Sequence, residues 1–302
     1  MSIRQHLLNC WLRTTEKPTL ERASHDRIRR RFERKARTFL RSPKGTVFDI
    51  KGVGGTAGSV PTLSVEASDD GPLILYFHGG GYVFGSAHTH RALVAWVSHY
   101  TDLSAAIVSY RRAPEDRFPT ALLDAVIAYR FVRNAPNGII IGGDSAGGGM
   151  ALALLGEISR LGLPQPLGTF VMSPLTDLTF SGDSFRDNER LDVVLPAKRA
   201  SELARLYLNG ADPTNPRASP LFADFTGAGP VWMVASDREI LLDDTLRMAE
   251  KLKKQGVDVT CKIESNLPHV WPLFQGYLPE ADDTLRDLAG WIKALSPRSS
   301  DS

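Results

Sequence analysis

Residues 139–155 read IIIGGDSAGGGMALALL. An apolar, β-branched run meets Gly143-Asp144-Ser145-Ala146-Gly147, and a stretch of small helix-formers follows. This is G-x-S-x-G between a strand and a helix, the setting in which a serine hydroxyl is lifted clear of a sheet as a nucleophile. Gly143 and Gly147 supply clearance for so tight a turn. The amide of Ala146 then points outward at a helix N-terminus, where it can bind an oxyanion. A second glycine run, His78-Gly79-Gly80-Gly81-Tyr82, follows the apolar segment LILYF and exposes backbone N–H groups to close approach. A serine also needs a base. For an elbow serine the partners follow in the order acid, then histidine. Of seven histidines only His269 lies late enough, ahead of the C-terminal helical stretch. The acid is expected after the run PVWMVAS, where Asp237, Glu239, Asp243 and Asp244 stand, and position alone leaves Asp237 and Glu239.

These residues need a frame. Short apolar runs at 46–53, 60–67, 73–78, 104–110, 138–143, 168–174, 230–236 and 258–265 predict eight strands. Amphipathic stretches at 119–133, 145–161, 241–256 and 280–295 predict helices between or after the later ones. Continuous apolar strands alternating with helices imply an α/β chain with a mostly parallel sheet covered on both faces. The first two runs sit close together and alternate, as an antiparallel start would. Residues 1–45 read as helix, with Ile3, Leu7, Leu8, Trp11 and Leu12 at helical spacing and Pro18 and Pro43 as punctuation. The interval 180–229 breaks the rhythm with a polar loop, a helix at 196–208 and a proline-rich loop. Such insertions lie over the carboxyl ends of strands, where ligands bind.

The segments HGGGYVFGS, YRRAPEDRFPTAL, GDSAGG, SPLTDL, DPTNPRASPLFAD and LPHVWPLF resemble the bacterial hormone-sensitive-lipase family of α/β-hydrolases over residues 45–295. The resemblance implies an α/β-hydrolase catalytic domain at 46–179 and 209–302, and a helical cap made of 1–45 and 180–208. It also implies a cofactor-free serine esterase acting on short to medium acyl esters, with no metal. Carried onto this chain, the family motif gives Gly80 and Gly81 to the oxyanion hole beside Ala146. Family spacing places the acid about 30 residues before the histidine, which favours Glu239 over Asp237. Tyr82, Asp144 and Trp271 flank the motifs and are expected at the substrate, with Tyr82, Phe84 and Trp271 walling a short acyl pocket. Arg112 stands where the family commonly has Leu. An amidase, thioesterase or lactonase would use the same triad. A receptor on this fold is the non-catalytic rival, and retention of Ser145 and His269 argues against it.

Composition narrows the rest. Of 302 residues, 42% are hydrophobic and 23% charged, ordinary for a globular chain and unlike a disordered one. Cys10 and Cys261 are too few for a disulfide framework or a structural zinc site. Residues 1–41 hold 12 Lys/Arg against 4 Asp/Glu. Their only nucleic-acid cue is Arg29-Arg30-Arg31, too short to bind, so a solvated helix face is expected and no nucleic acid. No run of 18 apolar residues exists and the start lacks a signal-peptide core, so a cytoplasmic protein with no stable membrane association is expected. The run 258–265 is an expected sheet edge along which two copies would pair as a homodimer.

Overall fold

The computed structural model describes residues 2–55, 58–67 and 71–295. Residues 296–302, the tail of the expected catalytic domain, lie outside these. Eight strands form one sheet: β1 (Phe48–Gly55), β2 (Gly58–Val65), β3 (Leu73–Phe77), β4 (Ala105–Val108), β5 (Ile139–Asp144), β6 (Gly168–Met172), β7 (Val231–Ser236) and β8 (Val259–Glu264). Their spatial order is β1-β2-β4-β3-β5-β6-β7-β8. The pairs β1–β2 and β2–β4 are antiparallel, and every other pair is parallel. The five residues of β5 that precede Asp144, and all of β7, are buried on both faces, so their near-continuous apolar sequence is what a covered parallel sheet demands.

Helices cover both faces. The helices α1 (Ile3–Trp11), α2 (Lys17–Arg22), α3 (His25–Phe39), α4 (Ala87–Thr101), α5 (Thr120–Val132), α6 (Ser145–Arg160), α7 (Ser184–Asp187), α8 (Ala197–Leu208), α9 (Leu242–Lys254) and α10 (Pro279–Lys293) follow in chain order. One core packs α5, α6 and α9 against the sheet through Ala125, Leu152, Leu154 and Met248. The other packs α4 and α10 through Leu93, Val94, Leu285 and Leu288. No described helix is long and apolar enough to cross a membrane.

The sequence of connections reverses direction between β3 and β5: the chain moves from β3 outward to β4, then returns to place β5 on the other side. The crevice at the carboxyl ends of these two neighbours is where an open α/β sheet binds ligands. His78-Gly79-Gly80-Gly81 leaves β3 there, and Ser145 leaves β5. Residues of the N-terminal segment between Leu7 and Leu40 border the cleft at this end. Gln5 and Asn9 of α1 donate to the Asn266 carbonyl at 2.9 Å each, which anchors the first helix to the loop that carries His269.

Candidate active site

Ser145 sits at φ 52, a left-handed conformation that a serine adopts only where its surroundings enforce it. The enforcement comes from close backbone approach. A Cβ on Gly147 would lie 2.1 Å from the Phe77 carbonyl oxygen and 2.5 Å from that of His78. With hydrogens there instead, the first turn of α6 rides directly over the end of β3. The serine Oγ lies 3.0 Å from His269 Nε2. The other imidazole nitrogen, Nδ1, lies 2.5 Å from Glu239 Oε2. A carboxylate only accepts, so Nδ1 carries the proton and Nε2 of the neutral ring accepts from the serine hydroxyl.

Glu239 is 1% exposed, and its second oxygen accepts from the Ser236 amide at 2.7 Å and from Ser173 Oγ at 3.0 Å. Ser173 Oγ in turn accepts from the Val270 amide at 3.2 Å, so one hydroxyl braces both the acid and the histidine loop. Asp237 is not at the imidazole. Its Oδ1 accepts from the Asn266 amide at 2.7 Å and faces the Arg238 guanidinium, closing the turn at the end of β8. Burial disfavours charge on His269, but the Glu239 bond and the negative charges of Glu239, Asp192 and Asp144 outweigh it. Its pKa stands above the ordinary histidine value.

Gly80 takes φ 124 and Gly81 φ 58, and a Cβ on Gly80 would strike the Phe84 carbonyl at 2.1 Å. Among the described residues the amides of Gly80, Gly81 and Ala146 have no protein acceptor, which leaves them free for a developing oxyanion. The loop is set by Asp144, expected at the substrate. Both of its oxygens are taken: Oδ1 accepts from Tyr76 Oη at 2.7 Å and the Gly79 amide at 3.0 Å, and Oδ2 faces His90 Nε2 at 3.2 Å. Asp144 borders the cleft, and its carboxylate binds the glycine loop and His90. Burial pushes its pKa up, and the charge and bonds of His90, with the Tyr76 bond, bring it below the usual range. His78 stacks on Tyr110 with ring centroids 4.1 Å apart. Burial, with His90 beside it, lowers the His78 pKa to about 3, so it stays neutral.

Residues 74–273 match the family model described as alpha/beta hydrolase fold. An acetyl-hydrolase of Streptomyces hygroscopicus is 35% identical over 76% of this chain and 78% of its own length. An esterase of Acinetobacter venetianus is 31% identical over 96% of this chain and 95% of its own. The crystal structure of an esterase from the bacterial hormone-sensitive lipase family superposes with a TM-score of 0.90 at 31% identity, covering 98% of this chain and 99% of that one. The chain belongs to the bacterial hormone-sensitive-lipase family of α/β-hydrolases. It is a carboxylic ester hydrolase.

In this hydrolase a cleft of about 510 Å³ opens onto Ser145 and His269. Its walls come from both sequence-distant segments, Leu8 and Leu12 at the N-terminus and Leu195 and Leu203 in the insertion. Tyr82 lines it, stacked on Tyr207 with centroids 4.0 Å apart, and Phe84 lines it too. Trp271 does not. It is fully buried in the core under α10, with Nε1 donating to Thr284 Oγ1 at 2.9 Å. Val270, at φ 50, faces the cleft, and the 3₁₀ turn Trp271–Phe274 carries the next side chain to the opposite side. Arg112, half-buried in place of a leucine, donates to the Gly85 carbonyl and so braces the end of the glycine loop. Ser173, His90 and Tyr76 were not singled out from sequence. Ser173 alone had a signal, since it opens the SPLTDL segment.

Proposed function

We propose that the chain hydrolyses short- to medium-chain carboxylic esters through an acyl-enzyme. Ser145 attacks the ester carbonyl while His269 takes its proton and then delivers it to the leaving alcohol. Glu239 holds the imidazole in the productive tautomer and stabilises its charged form. The amides of Gly80, Gly81 and Ala146 receive the oxyanion, and water resolves the acyl-enzyme by the same base. Residues 1–45 and 180–208 act as a cap over the cleft. The reading further takes the protein to be cytoplasmic and gives β8, an edge strand, the capacity to pair with a second copy.

The observation that supports this most is the relay itself: Oγ to Nε2 at 3.0 Å and Nδ1 to carboxylate at 2.5 Å, on three separate loops at one end of the sheet. A related esterase was crystallised and soaked with p-nitrophenyl butyrate, an ester of the proposed class. The test is a panel of p-nitrophenyl esters of rising acyl length with matched amides and thioesters, run on wild type and Ser145→Ala. Loss of nearly all ester turnover in the variant, with phosphonate labelling of Ser145 in wild type, is the expected result. A fully active variant defeats the reading.

A further inference from the structure

The insertion between β6 and β7 places a second buried carboxylate, Asp192, against the acid loop. Asp192 is 2% exposed. Its Oδ1 accepts from the amides of Val194 and Leu195, both at 2.8 Å, and its Oδ2 accepts from the Ile240 amide at 3.0 Å. Val194 and Leu195 line the cleft, and Ile240 follows Glu239 directly. One carboxylate therefore ties the cleft wall to the acid loop. Three amide donors converge on it, an arrangement that suits the ionised form; burial pushes its pKa up, and the His269 charge with the Leu195, Val194 and Ile240 amides opposes that.

Among the described residues no lysine or arginine pairs with this carboxylate. A buried anion satisfied by neutral amides alone is costly, and such a group calls for a reason. Its charge bears on the imidazole of His269, and the anions acting on that ring are Glu239, Asp192 and Asp144. Two neighbours extend the arrangement. Asn188 Nδ2 donates to the carbonyls of Asp237 and Glu239, at 3.0 Å each, gripping the same loop from its other side. Lys17 Nζ, from the N-terminal segment, donates to the carbonyls of Glu189 at 2.5 Å and Asp192 at 2.8 Å.

We propose that Asp192 is a positioning residue for turnover: it holds the Glu239 loop against the cleft wall and keeps a buried carboxylate near His269, with Lys17 linking it to the N-terminal segment. The substrate never meets it. The proton that leaves Ser145 makes an imidazolium, and the negative charge of Asp192 favours that charged ring. This rests on the reading of Ser145, His269 and Glu239 as a triad.

The test is Asp192→Asn, which keeps the shape and one acceptor but removes the charge. Turnover of p-nitrophenyl acetate is followed across pH, with melting recorded in parallel. Expected are a KM within twofold of wild type, a kcat lower by roughly tenfold, and an acid limb of kcat/KM displaced to lower pH, because one anion near His269 is gone. A folded variant with wild-type kcat and an unmoved acid limb overturns the proposal. Should Asp192→Asn not fold, Lys17→Met, at a partly exposed site, removes only the strut. It is expected to lower kcat by roughly threefold with the acid limb in place, and a kcat equal to wild type overturns the link to the N-terminal segment. A wild type inactive on every ester is a different outcome, which defeats the triad reading and not this one.

Discussion

Replacing Glu239 by Gln separates the acid of this site from its neighbour Asp237. Glu239 Oε1 accepts from the Ser236 amide at 2.7 Å and Ser173 Oγ at 3.0 Å, so a glutamine must keep its carbonyl oxygen there. Its NH2 then faces His269 Nδ1 across the present 2.5 Å contact. Two donors cannot share that contact, and Nδ1 has to become the acceptor. The proton moves to Nε2, which lies 3.0 Å from Ser145 Oγ and is the position that must take the serine proton. The base is blocked by its own tautomer. Loss of the correct tautomer in a triad costs about four orders of magnitude in kcat, or about 5.4 kcal/mol of barrier. Asp237→Asn has no such consequence. Its one oxygen on the Asn266 amide, at 2.7 Å, can be replaced by an amide carbonyl, and its side chain is already 36% exposed. That variant should stay within roughly threefold of wild type. The assay is steady-state hydrolysis of p-nitrophenyl acetate, with Ser145→Ala as the floor. A Glu239→Gln enzyme within tenfold of wild type, or an Asp237→Asn enzyme down by orders of magnitude, would refute the reasoning.

Four further outcomes are expected. Gly147→Ala sets a Cβ 2.1 Å from the Phe77 carbonyl oxygen, on backbone that cannot swing away; it should cost about 1–3 kcal/mol or more and most activity, and a melting curve like wild type would contradict the close approach. Because the His269 pKa is raised above 6.5 and the base must be neutral, the acid limb of kcat/KM should lie above pH 6.5; a limb below it counts against the charge balance around the ring. The same shift makes the folded state more stable below pH 6.5, a contribution lost as pH rises through the folded-state value, and urea titrations across that window check it. Acyl chains of about 2 to 8 carbons should be preferred, each methylene adding at most roughly 0.8 kcal/mol, or about fourfold in kcat/KM, until Tyr82 and Phe84 are met; best turnover on long-chain triglycerides contradicts this.

Most of the sheet was legible because its strands are apolar runs broken by glycine. The predicted run 138–143 and the observed Ile139–Asp144 differ by one residue at each end. Ser145 and His269 were legible because a nucleophile elbow and a late loop histidine leave few readings. Between Asp237 and Glu239 residue spacing alone was silent, since both precede α9 within one turn and only family spacing leaned to Glu239. Trp271 misled because adjacency to His269 in sequence is not adjacency in space: one residue along a tight turn points to the other side. Asp192 and Asn188 were invisible in a polar loop whose partners lie about 50 residues further on, at 239 and 240. Their role depends on desolvation, which composition does not record.

The order in which the chain is made has a consequence for when it can act. Ser145 leaves the ribosome 124 residues ahead of its base. The loop bearing that base follows the edge strand, added to the sheet last. Under the proposed mechanism an unfinished chain therefore holds an elbow without a general base, and no hydrolysis can begin on a tethered polypeptide. The N-terminal helix waits longest. Gln5 meets the Asn266 carbonyl across a sequence separation of 261, and Arg4 meets that of Tyr277 across one of 273. Closing so long a loop carries an entropic penalty that grows slowly, about 0.6 kcal/mol for each doubling of length, but the delay is set by synthesis and not by that penalty. At the usual 5–20 residues per second, Gln5 and Asn9 remain without their Asn266 acceptor for roughly 13 to 50 seconds. The length of that interval is written into the distance between the first helix and the last loop.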